Sequence, residues 1–142
     1  MNESAPSKAK KTILCVDDEE YILSALKRVL RTLPFNVLTA SNGEEAVETA
    51  IRERPDLILL DVWMPRMTGF EVLKQIREKG LHDTRVVMLT GAGSNQATLK
   101  GYQMGCDYYI PKPFKNESVI NIVRYLIGDI SSRERQELEL KL

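Results

Sequence analysis

Leu57-Ile-Leu-Leu-Asp61-Val-Trp-Met-Pro65-Arg-Met-Thr-Gly69 carries a run of four apolar residues that ends on one carboxylate and then breaks into turn chemistry. Bounded by Pro55-Asp56 before and Met64-Pro65 after, the run reads as a strand buried on both faces, the kind found in parallel sheets. Asp61 then stands at the carboxyl end of a central strand. In open α/β sheets that edge is where ligands bind, because the strand ends and the loops that follow form a crevice there.

The bulk properties bound what such a strand can belong to. A chain of 142 residues holds one domain with a real core and is too short for two ordinary ones. With 43% hydrophobic and 28% charged residues it has the composition of a soluble globular protein rather than a disordered one. Twenty basic residues balance twenty acidic ones, which argues against direct nucleic-acid binding by this segment, since that would ask for a basic surplus. The apolar runs Ile13–Val16 and Leu57–Leu60 are far too short for a membrane span or a secretory signal, so no membrane partner and a cytoplasmic location are expected. Cys15 and Cys106 are distant in sequence with apolar neighbours and read as buried free thiols.

Either side of the central strand the pattern alternates. Met1 to Lys11 lacks periodicity and reads as a disordered leader. Thr12-Ile-Leu-Cys-Val16 is a short strand running straight into Asp17-Asp18-Glu19-Glu20. Ile22, Leu26, Val29 and Leu33 then recur at helical spacing until Pro34. Asn36–Ala40 is a second strand, and Ser41-Asn-Gly-Glu44 looks like a capping box opening a helix with Ala46, Val47, Ala50 and Ile51 inward. Thr68-Gly-Phe-Glu71 repeats that box ahead of a third helix, with Phe70, Leu73 and Ile76 inward and an end near Lys79-Gly80. Arg85–Thr90 is the fourth strand, followed by small residues and a weakly patterned helix from about Asn95 to Met104. Asp107–Pro111 is the fifth strand, closed by Lys112-Pro113-Phe114, and Asn116 can cap a last helix with Val119, Ile120, Val123, Leu126 and Ile127 inward.

Five strands alternating with five helices mean right-handed crossovers and a doubly wound parallel sheet covered on both faces, an α/β, flavodoxin-like fold. The strand order 2-1-3-4-5 sets strands one and three side by side at the switch point, and those strands end in Asp17-Asp18 and Asp61. Asp17, Asp18 and Asp61 then converge in one small pocket together with Lys112 and the Thr90 hydroxyl. Three carboxylates cannot all stay ionised close together without a counter-charge, and hard oxygen ligands are what Mg²⁺ prefers. A Mg²⁺-assisted phosphoryl site is the economical reading, with Asp61 as nucleophile facing Gly91, whose missing side chain leaves room. Taken singly, acidic residues after a strand often serve only the helix dipole, and Glu19 and Glu20 fit that role; their occurrence with Asp61, Thr90 and Lys112 at one sheet edge does not.

These residues resemble those of a response-regulator receiver domain, the phosphoacceptor half of a two-component system. Val16-Asp17-Asp18-Glu19 resembles its acidic pair, and Leu60-Asp61-Val-Trp-Met64-Pro65 with Gly69 resembles its phosphoacceptor strand and loop. Leu89-Thr90-Gly91 resembles its switch hydroxyl, and Tyr109-Ile-Pro-Lys112-Pro113-Phe114 its aromatic and lysine signature. The resemblance covers Lys11 to Ile127 and implies the strand order chosen above. It also implies that Asp61 receives a phosphoryl group from the phosphohistidine of a sensor histidine kinase or phosphotransfer protein. Asp17, Asp18, Asp61 and the backbone carbonyl of Trp63 would hold Mg²⁺. Lys112, preceding a cis peptide at Pro113, would pair with Asp61 at rest and with the phosphoryl oxygens afterwards. Thr90 would turn toward the phosphoryl group, with Tyr109 filling the space it leaves, so that the face of fourth helix, fifth strand and fifth helix shifts and can carry a homodimer. The family is not made of classical enzymes, although Mg²⁺-dependent self-phosphorylation and self-dephosphorylation are implied.

Three positions depart from the family pattern: Trp63 is large where the site entrance is lined, Tyr102 stands where something small is usual, and Pro111 precedes the lysine. Rival readings fit less well. A phosphatase working through an aspartyl phosphate would want a second Asp where Trp63 stands, and Gly91-Ala-Gly-Ser-Asn-Gln96 lacks the final glycine of a dinucleotide fingerprint. A receiver-shaped module that is never phosphorylated would have no use for the full acidic set. The chain therefore divides into a leader (1–11), a receiver domain (12–127) and residues 128–142, read either as a solvated helical tail opened by Ser131 or Ser132 or as a linker toward an output domain.

Overall fold

Short apolar runs flanked by turn residues become strands when both of their faces can be covered, and five such runs do so here. The computed structural model describes residues 10–91 and 100–142. The elements are β1 (Thr12–Val16), α1 (Glu20–Leu30), β2 (Asn36–Ala40), α2 (Gly43–Glu53), β3 (Leu57–Asp61), α3 (Gly69–Glu78) and β4 (Arg85–Thr90), then α4, described over 100–103. β5 (Tyr108–Pro111), α5 (Asn116–Ile127) and α6 (Ser132–Glu139) complete the chain. The five strands are parallel in the order β2-β1-β3-β4-β5, the order expected from the sequence. The leader up to residue 9 and the first part of the helix expected from Asn95 lie outside the described residues.

Strand alternation divides the core in two. Leu14, Val16, Ile58, Leu60, Val86 and Met88 face α2 and α3, whereas Ile13, Cys15, Leu57, Leu59, Val87 and Leu89 face α1 and α5. All five positions of β3 are buried, so a continuous apolar run rather than an alternating one is what the centre of a covered sheet demands. Cys15 and Cys106 are buried free thiols, and burial pushes the Cys15 thiol up to about 12, which removes thiolate chemistry there. Among the described residues no helix is long and apolar enough to cross a membrane.

Several helix faces differ from expectation. α1 buries Leu23, Leu26, Val29 and Leu30, leaving Ile22 half-buried. It stops at Leu30, before Pro34, where Thr32 Oγ1 donates to the Val29 carbonyl at 2.7 Å and a last tight turn forms. The N-cap of α2 is Asn42 rather than Ser41: its side chain accepts from the Glu45 amide at 2.8 Å, while the Ser41 amide donates to the Glu45 carboxylate at 2.7 Å. The buried stripe of α2 is Ala46, Thr49 and Ala50, and Ile51 is exposed, because the helix meets β1, β2 and α3 through its small residues. Lys115, not Asn116, occupies the N-cap position of α5, without a side-chain cap, and Ile122 replaces Ile120 and Leu126 in the fully buried set. Thr68 and Glu71 form the expected capping box at α3, and Gly80 with φ +90° follows its last turn.

The loop after β3 folds back on its own strand. The Gly69 amide donates to the Val62 carbonyl at 2.8 Å, and a Cβ at Gly69 would lie 2.4 Å from the Asp61 carbonyl oxygen. Only glycine permits that approach. Gly69→Ala should therefore lower stability by about 2 kcal/mol, since backbone rather than a flexible side chain would have to move; a urea midpoint unchanged from wild type would refute the geometry.

Candidate functional site

The carboxyl ends of β1 and β3 lie side by side, with Val16 paired to Leu60. The next residue on each strand is an aspartate, so register alone carries Asp17 and Asp61 to adjacent positions. Both are buried, Asp17 fully, while Asp18 reaches solvent. One carboxylate oxygen from each of Asp17, Asp18 and Asp61 lies within 4.8 Å of the others. Asp17 is further fixed because its Oδ1 accepts from the Glu19 amide at 2.9 Å as the chain turns into α1.

The counter-charge arrives from the far side of the sheet. Lys112 follows β5 and precedes a cis peptide to Pro113. Its Nζ donates to Asp17 Oδ2 at 2.7 Å and to Asp61 Oδ1 at 3.2 Å. The sequence reading paired Lys112 with Asp61; the structure gives it a second and shorter bond, to Asp17. Burial pulls the ammonium down, but the Asp17 hydrogen bond and the Asp61 and Asp17 charges outweigh it, and the Lys112 pKa ends above its usual value. Asp61 shifts the other way for a carboxylate. Burial first, then the neighbouring Asp17 charge, push it up to about 6, against the opposing pull of Lys112.

Thr90 ends β4, one residue past the Asp61–Leu89 pair, and is almost fully buried. Its hydroxyl donates to the Gly91 carbonyl at 2.9 Å. A Cβ at Gly91 would meet nothing within 4 Å among the described residues. Tyr109 pairs with Met88 in the sheet and lies in the α2–α3 core, whereas Tyr108 packs in the α1–α5 core. Alternation thus places Tyr109, not Tyr108, on the face that carries Met88 and, two residues on, Thr90. The Tyr109 ring is buried against Gly101, where a Cβ would come within 3.0 Å of it, and lies 6.3 Å from the ring of Tyr102.

Trp63 stands exposed after the central strand, its ring edge-on to Phe70 at 5.9 Å. It opens a groove of about 470 Å³ whose other walls include Lys74, Lys100 and Met104. Arg66, in the same loop, has φ 70°, a left-handed conformation that residue type alone did not signal.

Chemically, three carboxylates against one ammonium leave surplus negative charge in a half-desolvated dent. Such an oxygen-only donor set suits a hard divalent cation with water completing its shell. Asp61, pushed up to about 6, is still mostly ionised at neutral pH, and an ionised carboxylate is chemically competent as a nucleophile.

The response regulator receiver domain model matches residues 13–124. The transcriptional regulatory protein CpxR of Escherichia coli (strain K12) is 38% identical over 125 residues, which are 88% of this chain and 53% of CpxR. The chain thus spans about half the length of the curated relatives it matches. Among solved structures, the chemotaxis response regulator CheY4 of Vibrio cholerae superposes with a TM-score of 0.79 at 32% identity, covering 84% of this chain and all of CheY4 (100%). The receiver domain of the sensor histidine kinase PA1611 from Pseudomonas aeruginosa PAO1, whose structure has a magnesium ion coordinated in its active-site cleft, superposes at 0.77 with 29% identity, over 85% of this chain and 100% of that one.

The raised Asp61 pKa has a consequence for stability. Below its ordinary pKa of 3.8 the carboxyl is protonated folded or unfolded; as pH rises through about 6 the folded state must accept a charge it disfavours, and stability is lost. Asp61→Asn should therefore raise stability at pH 8 by about 2 kcal/mol, with the gain shrinking toward pH 4.5. Chemical denaturation across that range checks this, and a gain independent of pH would contradict it. Added Mg²⁺ should stabilise wild type more than the variant.

Proposed function

This chain belongs to the response regulator receiver domain family, and from that membership we propose that Asp61 is its phosphoacceptor and that the domain is a two-component signalling switch. The observation that carries the reading is the Lys112 ammonium bridging Asp17 and Asp61, with Asp18 beside them, at the paired carboxyl ends of β1 and β3. The donor would be a phosphohistidine of a sensor histidine kinase or phosphotransfer protein. An Asp61 oxygen attacks the phosphorus in line, the phosphorus–nitrogen bond breaks, and the imidazole leaves as the neutral donor once it holds a proton. Asp61 is mostly ionised above pH 7 despite its raised pKa, so no separate base is required.

The other residues follow from charge. Asp17, Asp18, Asp61 and the main-chain carbonyl of Trp63 would hold Mg²⁺, whose charge offsets that of the phosphoryl oxygens. Lys112, already bonded to both buried carboxylates, would transfer its contact with Asp61 to a phosphoryl oxygen. Thr90 can exchange its bond to the Gly91 carbonyl for one to the phosphoryl group. Tyr109, buried on the same face of the sheet as Thr90, would register that movement and shift the surface of α4, β5 and α5 between two packings. That surface would then carry a homodimer or contact a downstream target. Trp63 at the entrance would slow the access of water and of small donors to the site.

Incubation with acetyl phosphate and Mg²⁺ should add one phosphoryl group by intact mass, stable in acid and labile in base, and Asp61→Asn should add none. Thr90→Ala should still form the adduct yet lose the accompanying change in amide exchange over α4, β5 and α5. Absence of any adduct in wild type, with kinase donors as well as acetyl phosphate, would overturn the proposal.

A further inference from the structure

One buried ring organises the groove that α3 and α4 share. Phe70, in the first turn of α3, is 4% exposed. The Trp63 ring meets it edge-on at 5.9 Å, and the Lys100 ammonium of α4 sits 4.8 Å over it. A large indole and a cation are therefore held at set positions about the same floor. Lys74 follows Phe70 by four residues and rises from the same face of α3 one turn on. Met104 adds a further apolar wall.

The charges of the groove are unevenly committed. Its one carboxylate, Glu71, is spent in the capping box of α3, where Oε1 accepts from the Thr68 amide at 3.1 Å and from the Thr68 hydroxyl at 3.3 Å. Neither Lys74 nor Lys100 has an ion-pair partner among the described residues. Apolar and aromatic surface thus stands beside two uncommitted ammonium groups, which complements an apolar side chain flanked by carboxylates. With its indole 57% exposed, the groove of about 470 Å³ is a surface trough rather than an enclosed cavity. Small ligands are held where most of their surface is buried, so a trough suits one side chain of a protein segment better. Tryptophan is also enriched among the residues that dominate binding energy at protein interfaces.

We propose that this groove docks an acidic segment of a partner protein, with an aromatic side chain of the segment packed on Trp63 and its flanking carboxylates on Lys74 and Lys100. The inference goes beyond the phosphoacceptor reading and holds whether or not Asp61 carries a phosphoryl group. Trp63 is the single tryptophan of the chain, so its fluorescence reports occupancy directly. The probe is the blocked peptide acetyl-Asp-Glu-Phe-Asp-Glu-amide, which should change the Trp63 emission of the full chain saturably. Lys74→Glu and Lys100→Glu should each weaken binding by about threefold to tenfold, while Lys100→Arg retains it. Glycine in place of the peptide's phenylalanine should weaken it by at least about tenfold. Both lysines are exposed, and an unchanged urea midpoint verifies that the variants fold. No saturable change, an equal response to acetyl-Lys-Arg-Phe-Lys-Arg-amide, or unchanged affinity in both Lys→Glu variants would each overturn the inference. Equal affinity for N-acetylphenylalanine would make a small aromatic anion the occupant, and emission that varies with protein concentration alone would make it a second copy; either result overturns it as well.

Discussion

One ammonium set among three carboxylates organises this protein. Lys112 bonds both buried aspartates and brings a counter-charge against their mutual repulsion. Burial, and after it the Asp17 charge, outweigh this cation, so Asp61 is pushed up rather than down even with an ammonium in contact. A site in that condition is costly for the fold and receptive to further positive charge. The same crowding of carboxylates that opposes folding is what would favour a hard divalent cation there.

The sheet supplies the precision. β1, β3 and β5 are not consecutive in the chain, yet the order β2-β1-β3-β4-β5 sets β1 against β3 and leaves β5 one strand beyond β4. Lys112 must therefore cross the end of β4 to reach Asp61, passing over Thr90, whose carbonyl accepts the Lys112 amide. The backbone that positions the ammonium is thus tied to the residue that ends β4. Next to both is β5, where Tyr109 lies in one core and Tyr108 in the other. The two halves of the hydrophobic interior meet the site through adjacent residues of one short strand.

At the periphery, α5 is loaded from both sides. Its apolar stripe closes one core, and its outer flank holds α6 through Arg124 and Tyr125. Gly128 is required at the exit between them, because a Cβ there would lie 2.5 Å from the Arg124 carbonyl oxygen. The turn fixes where α6 can begin, and the capping box at Ser131 then starts it within four residues.

Much of this was legible in residue order. Five apolar runs with turn residues between them carry the doubly wound fold, because parallel strands covered on both faces need continuous apolar sequence, and β3 shows that most clearly. The aspartates after β1 and β3 and the lysine after β5 were visible as strand-end residues, which the topology converts into neighbours. The helix faces were less legible. Ile51 looks inward by apolarity but is exposed, because α2 is set by contacts through Ala46, Thr49 and Ala50, and side-chain volume at a close crossing is not written in periodicity. The two hydrogen bonds from Lys112, the left-handed Arg66, the docking of α6 and the depth at which Asp61 lies emerge only when elements distant in the chain are in contact. Local sequence specifies which groups reach a strand end; burial, and with it every shift in charge affinity, belongs to the assembled surroundings.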